Sequence, residues 1–503
     1  MTRPKNEKHL TETALACLQR FFCANKLPLV SAFLFGLMAH AFMLTNKIPY
    51  GDDLVAMFDK GATTVSGRYG LELMRLVLPD VSMPWIYGLM ALALLSVAAC
   101  VIIRLFEIKR PVFQLLVAAV FVSFPAQAAT MNYMFTVVPY ALALTLSISA
   151  VWYFDSGRRF HWLVSPVLIA FSCSIYQGYF SFASSFCVIL MIKALVNGEK
   201  SPAETFRYGL RLLAMLLMGL AVYGAVILFF TLLLGYPLIG EVINEKQSII
   251  LRIAVAYSAY LKTLFAGYFA YVHSLPSVVF HVVLIAAAAF AIVIKLRRQR
   301  KPAAWLLTGL CLFLFPLSCY CLYMLADNSY IHSLALYSFA SLYVLCICLL
   351  DDLELLPVKD IAAICLALIM AGNVYYSNSW YLRNYLRFEE VKSLYSSVVT
   401  ELISTPGFDE GTSLAIVGQA PALVYDADKN FDFDKLLTPS LDIASPDYAQ
   451  LIISQYLGFD IPFASREETA ALSKDARVLE MKQFPYEGSV QKIDDYIVVK
   501  FME

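Results

Sequence analysis

Long apolar runs separated by short polar connections fill most of this chain, and only the last quarter breaks the pattern. A membrane span takes roughly 20 apolar residues. Eleven segments approach that requirement: about 28–46, 84–103, 111–125, 137–154, 163–175, 177–196, 212–235, 275–295, 303–325, 334–350 and 358–377. The fifth is short and reads as a broken or tilted helix. Two connections between spans are long, at about 47–83 and 236–274. In the first, Leu71, Met74, Val77 and Leu78 recur at helical spacing. In the second, Ile249, Ile253, Tyr257, Tyr260 and Leu264 do the same. Both patterns predict helices lying in the membrane interface.

Residues 378–503 change character. Charge rises, and short apolar stretches alternate with polar turns. Ser413 to Gly418 reads as a buried strand ending at a turn. Tyr448 to Tyr456, after Ser445-Pro446-Asp447, reads as a helix, and Asp495 to Val499 as a final strand. The expected architecture is an all-α polytopic membrane protein with a small C-terminal α/β domain outside the membrane. Its parts are a leader at 1–27, a transmembrane region at 28–377 and the C-terminal domain at 378–503. The first apolar run, near Pro28, follows a basic leader and leads into further spans, so no cleavable signal peptide is expected. No internal repeat is visible.

The basic residues orient the spans. Arg3, Lys5, Lys8, Arg20 and Lys26 lie in the leader, Arg104, Lys109 and Arg110 after span two, and Arg158 and Arg159 after span four. Lys193, Lys200, Arg207 and Arg211 lie at the end of span six and in the connection after it, and Lys295 to Lys301 follow span eight. All fall on one side, the cytoplasmic one, if the N-terminus is cytoplasmic. The acidic connection after span ten, with Asp351, Asp352 and Glu354, fits this less well. Eleven spans then place the C-terminus outside.

Composition agrees with the pattern. Hydrophobic residues make up 60% of the 503 and charged residues only 15%, against about 25% charged in soluble domains. The formal net charge is zero, which argues against a nucleic-acid partner. The 11 Cys all precede or include Cys365 and form no CxxC pair. They read as small apolar helix residues.

Candidate chemistry concentrates on the outer side. Asp52 and Asp53 follow Pro49-Tyr50-Gly51 just beyond span one. Adjacent carboxylates near a low-dielectric surface repel one another, which suits one of them to accept a proton. The pair equally suits a helix start before Leu54 and Val55. Further along the loop, Ser66-Gly67-Arg68-Tyr69-Gly70 places two glycines around an Arg and a Tyr. Glycine permits close approach of a ligand, and the guanidinium matches phosphate oxygens. A single Arg is more often a solvated interfacial anchor, and its place in the same loop as the acid pair raises the weight of the functional reading. Three more outward patches carry polar and aromatic groups: Tyr133 to Tyr140, Tyr176-Gln177-Gly178-Tyr179, and Asp327 to His332. They suit sugar hydroxyls and rings, or an aromatic belt. His40 and His281 each stand alone in a span and read as hydrogen-bonded to a neighbouring helix. Acidic and basic residues are missing from span centres, which counts against an ion-coupled transporter. Walker, dinucleotide-binding and HExxH motifs are absent, and two adjacent carboxylates without a nearby His make a poor closed metal site.

Ile48-Pro49-Tyr50-Gly51-Asp52-Asp53-Leu54, Ser66-Gly67-Arg68-Tyr69, Val138-Pro139-Tyr140, Ile175-Tyr176-Gln177 and Asn378-Ser379-Trp380 occur in an order and setting that resembles the bacterial O-antigen glucosyl transferase II family, the serotype-converting glucosyltransferases. The likeness extends over about residues 30–390. Position 69 is Tyr where many relatives have Trp. The resemblance implies a GT-C-like membrane enzyme that takes a hexose, usually glucose, from a polyprenyl-phosphate donor. The acceptor it implies is a surface glycan such as O-antigen, outside the bacterial inner membrane. A separate donor synthase and flippase are implied partners, and no cofactor is expected, with divalent metal left open. Under it, Asp52 and Asp53 are the catalytic pair and Arg68 holds the donor phosphate. Tyr50, Tyr69, Tyr133, Tyr140, Tyr176, Gln177 and His332 line the substrate. The alternative is a flippase or transporter of lipid-linked glycans without chemistry of its own. A third reading is an outward receptor that binds through 378–503.

Overall fold

The computed structural model describes residues 10–49, 51–55, 66–78, 82–235, 248–269, 276–321, 333–409, 411–420 and 444–502. These fall into two compact units. The first holds the described residues of 1–45 and 61–378, and the second those of 46–60, 379–428 and 439–503. The described residues of 46–60, which the expected division at 378 leaves with the spans, thus group with the C-terminal part of the chain.

In the first unit, α1 (Leu10–Ala24) precedes α2 (Lys26–Thr45), and α4 (Tyr69–Arg75) precedes α5 (Pro84–Leu105). Then come α6 (Pro111–Ser123), α7 (Pro125–Asn132), α8 (Val137–Asp155), α9 (His161–Ile175), a 3-10 turn at Gln177–Tyr179 and α10 (Phe180–Val196). After them follow α11 (Pro202–Leu234), α12 (Ile249–Lys262), α13 (Ser277–Gln299), α14 (Pro302–Cys319), α15 (Ser341–Asp351) and the first part of α16 (Leu356–Ser404). A helix occupies every one of the eleven apolar segments. Among the described residues, nine are long and apolar enough to cross a membrane alone. A tenth crossing takes α6 and α7 together, bent by 43°. Pro125 opens α7, and Phe124 before it is extended, because a proline ring disfavours helical backbone in the preceding residue. The remaining segment, α9, has 15 residues and reaches about 22 Å at 1.5 Å per residue, short of a ~30 Å hydrocarbon core.

Two helices exceed their expected limits. α11 starts at Pro202, so Arg207 and Arg211 are helical rather than part of a connection. A capping box sets that start: Ser201 accepts from the Glu204 backbone and the Glu204 side chain bonds back. α16 passes the expected end at 377 and runs on to Ser404, since no Gly or Pro interrupts the sequence between Gly372 and Pro406.

The outward faces of this unit are apolar. Leu217 is 55% exposed, Leu228 58% and Leu306 80%. Such a surface is stable in lipid rather than in water, so the protein is a multi-pass membrane protein. One end of the unit gathers the basic connections with the acidic one. The Asp351 carboxylate accepts from the Lys109 and Arg110 backbone N–H groups at 2.7 and 3.1 Å. Lys109 pairs with Asp352, Lys193 with Glu107, and Arg298 with Glu354. Lys295 donates to Asn197 and to the Leu349 carbonyl. The acids after span ten are therefore the counter-charges of the basic connections.

In the second unit the last turns of α16 supply Phe388, Val391, Tyr395, Val398 and Leu402, spaced as one helical face. Against it lies a three-stranded sheet of β1 (Ser413–Val417), β2 (Val490–Ile493) and β3 (Tyr496–Lys500), in the order β1-β3-β2. β1 and β3 run parallel with Ser413 opposite Tyr496, and β2 and β3 antiparallel. Helices α17 (Pro446–Leu451), α18 (Arg466–Leu472) and α19 (Ala476–Glu480) complete it. The expected strands and the expected helix near Tyr448 are present. β2 carries Gln491 and Lys492, both exposed, and gives no apolar run to read.

Candidate active site

Within the first unit, the Ser66–Gly70 turn is fastened at several points. Gly67 has φ +71°, and a side chain there would meet the Tyr223 hydroxyl at 2.9 Å. A Cβ on Gly70 would come within 2.4 Å of Ser174 Oγ, so α4 can approach α9 only with glycine there. The Gln177 amide donates to the Ser66 carbonyl and to the Tyr223 hydroxyl, each at 2.8 Å. Tyr223 in turn donates to the Gly67 carbonyl at 3.1 Å. Tyr69 stacks on Phe230 with ring centroids 4.2 Å apart.

Arg68 emerges from this turn half-buried. Its Nη1 donates to the Tyr140 hydroxyl at 3.3 Å, and its guanidinium stands 5.3 Å from the Tyr176 ring centroid. Tyr140 and Tyr176 stack at 4.6 Å, with Tyr179 edge-on to both. A guanidinium oriented over an aromatic face keeps its planar fork and its charge while losing little side-chain entropy on binding. The arrangement can hold a phosphate beside aromatic faces suited to a sugar ring. Arg68, Tyr140, Tyr176 and Gln177, scattered in sequence, meet at this one turn, while Tyr69, beside Arg68 in sequence, packs on Phe230.

Within the second unit, Asp52 and Asp53 occupy the first turn of α3 (Gly51–Val55). The helix-start reading of the pair is thus what the backbone adopts. Successive residues of a helix point about 100° apart, and the two carboxylates have different surroundings. Asp53 is 0% exposed and forms an ion pair with Lys47. Asp52 is exposed. Leu54, also 0% exposed, is buried among Val391, Tyr395, Leu414 and Ile452, and α3 packs on α17. Burial, and then the Asp52 charge, raise the Tyr448 phenol above its usual range. Burial, and then the Asp53 charge, raise that of Tyr456.

Tyr133 is buried in the turn after α7, its ring beside that of Phe135. Tyr50 and His332 lie outside the described residues. His40 bonds to the Val122 carbonyl at 2.9 Å, and His281 to the Tyr343 hydroxyl at 2.8 Å, so both serve helix packing. The sequence reading missed Tyr223 and Phe230, which sit inside an apolar run and carry no signal of their own. It also missed Lys47, for which a lone cation six residues before a buried carboxylate is the available cue.

The model of the family described as glucosyl transferase GtrII matches residues 41–350. That is well over half of the chain. The chain belongs to the GtrII glucosyl transferase family. It is therefore a glycosyltransferase. No curated protein and no solved structure matches it. The matched region of this glucosyl transferase contains Asp52, Asp53 and the whole Arg68 network. It stops before α16 and the sheet.

Proposed function

We propose that this glucosyl transferase moves glucose from a polyprenyl-phosphate donor to a hydroxyl of a cell-surface glycan such as O-antigen. The reaction takes place on the outer face of the bacterial inner membrane, with the N-terminus cytoplasmic. A separate synthase makes the donor, and a flippase delivers it. The observation that carries this reading is Arg68, held between the Tyr140 hydroxyl and the Tyr176 ring at the mouths of apolar helices. It belongs to the same stretch of chain as Asp52 and Asp53. A nucleotide sugar carries phosphate as well, so it is the setting among apolar helices, more than the guanidinium alone, that favours a lipid-linked donor.

In the reaction, the acceptor hydroxyl oxygen bonds to the anomeric carbon as the bond from that carbon to the phosphate oxygen breaks. The hydroxyl proton passes to an Asp carboxylate of the acidic turn. Polyprenyl phosphate leaves with the bonding electrons, and Arg68 offsets the charge that develops on it. Attack opposite the phosphate inverts the anomeric centre. Tyr69, Tyr140, Tyr176 and Gln177 orient the sugar, and the polyprenyl tail lies in lipid.

The test is a transfer assay with purified chain in lipid nanodiscs and a lipopolysaccharide acceptor. Synthetic polyprenyl-phosphate [14C]glucose and UDP-[14C]glucose are supplied in parallel. Label passes to the acceptor from the lipid-linked donor alone. Equal or better transfer from UDP-glucose overturns the reading.

A further inference from the structure

The acidic turn groups with the C-terminal unit, most of which lies beyond the region that carries the family match. The described residues of 46–60 group with it rather than with the spans. Two consecutive side chains anchor the turn. Leu54 enters the apolar core made by α16, the sheet and the segment Ile452–Ile453. Asp53 is fully enclosed and its carboxylate meets the Lys47 ammonium, which is 24% exposed. Lys47 lies two residues beyond the end of α2 and in the same unit as Asp53. Residue 52, one step earlier on α3, is presented outward.

A buried carboxylate is stable as an anion only when a counter-charge meets it. Lys47 supplies that charge and at the same time fixes the orientation of the first turn. Asp53 and Leu54 thus clamp α3 from two sides of the chain, one ionic and one apolar. With its neighbours fixed, the backbone that carries the Asp52 side chain has a defined direction. An exposed carboxylate on an anchored turn can be reached by an incoming hydroxyl, whereas a fully enclosed one cannot.

We infer that the C-terminal unit is part of the catalytic machinery of this transferase, seating the acidic turn so that Asp52 takes the acceptor proton, with Asp53 and Lys47 as positioning residues. The inference rests on the transferase reading above. It predicts that Lys47 governs turnover without governing donor affinity, since it touches the turn and not the donor.

The experiment measures kcat and donor KM for the full chain in nanodiscs, using synthetic polyprenyl-phosphate glucose and lipopolysaccharide, with limited proteolysis as a check of folding. Asp52→Asn lowers kcat by roughly 100-fold or more at unchanged donor KM, the ordinary worth of a general base. Lys47→Met lowers kcat by about tenfold, again at unchanged KM, as expected for a misdirected reacting group. Lys47→Arg restores most of that loss. If Lys47→Met fails to fold, the double variant Lys47→Met with Asp53→Asn removes the stranded charge, and it too turns over slowly. Wild-type kcat in either Lys47→Met background overturns the inference while the transferase reading stands. So does full activity of Asp52→Asn beside an inactive Asp53→Asn. No transfer by the wild-type chain overturns the transferase reading itself, and the inference with it.

Discussion

Replacing Leu54 by Ala removes three carbons from a side chain that is 0% exposed in the core of the second unit. Loss of that apolar burial costs about 2.4 kcal/mol at ~0.8 kcal/mol per methylene-sized group. The residual cavity adds to this, because α16 and the sheet hold the surrounding side chains in place, and buried Leu→Ala changes fall at about 2–5 kcal/mol. A value of roughly 3 kcal/mol is a large share of the stability of one unit. Taking about 4 °C per kcal/mol for a unit of this size, the melting transition drops by on the order of 10 °C. The assay is thermal limited proteolysis of the full chain in nanodiscs, following cleavage at the exposed Arg466 and Arg477. Val55→Ala is the control, since Val55 is adjacent but 45% exposed. Its transition stays within about 2 °C of wild type, the range of an ordinary surface change. If Leu54→Ala also melts within about 2 °C of wild type, the acidic turn is not part of that core, and the reasoning fails.

Other outcomes follow from the same geometry. Arg68→Lys keeps a charge but loses the planar fork and its fit over Tyr176, so donor kcat/KM falls by about 10- to 100-fold, on the order of 1.4–2.8 kcal/mol; steady-state kinetics with the lipid donor measure it. Gln177→Leu leaves the Ser66 carbonyl and the Tyr223 hydroxyl without the amide that bridges them, at a cost of about 1–3 kcal/mol, and raises donor KM in the same assay. Burial and the Asp53 charge raise the Tyr456 phenol above its ordinary value, so the folded chain holds that proton more tightly than the unfolded one. The stability this gives is full below the ordinary phenol pKa of about 10 and is lost as pH rises beyond it. Melting followed between neutral and strongly alkaline pH therefore declines above about pH 10, and Tyr456→Phe makes the decline shallower.

Hydropathy alone located the nine described helices that are long and apolar enough to cross a membrane, because a span has to be long and nearly free of charge whatever its neighbours are. The acid pair, Arg68 and Gln177 were legible for a related reason: polar groups at the mouths of apolar helices stand out against their surroundings. What was not legible depends on partners distant in sequence. Tyr223 and Phe230 look like any aromatic residues of an apolar run until the Ser66–Gly70 turn is placed against them. The charged residues of α16 beyond Ser379 suggest a tail, yet the 3-4-3-4 spacing from Phe388 to Leu402 is the apolar face of a continuing helix. Leu54 gives no hint that its core is made by residues near the C-terminus. Asp52 and Asp53 open a helix, as one of the two readings had it, and burial gives the two carboxylates different surroundings.

The most direct test of the central claim is the stereochemistry of a single turnover. Full-length chain in nanodiscs is given polyprenyl-phosphate glucose of one known anomeric configuration, and the glucosylated glycan is read by NMR. One-step displacement assisted by the Asp52 carboxylate predicts a single product with the opposite anomeric configuration, absent from the Asp52→Asn variant. Retention of configuration, or undiminished product from that variant, would contradict it.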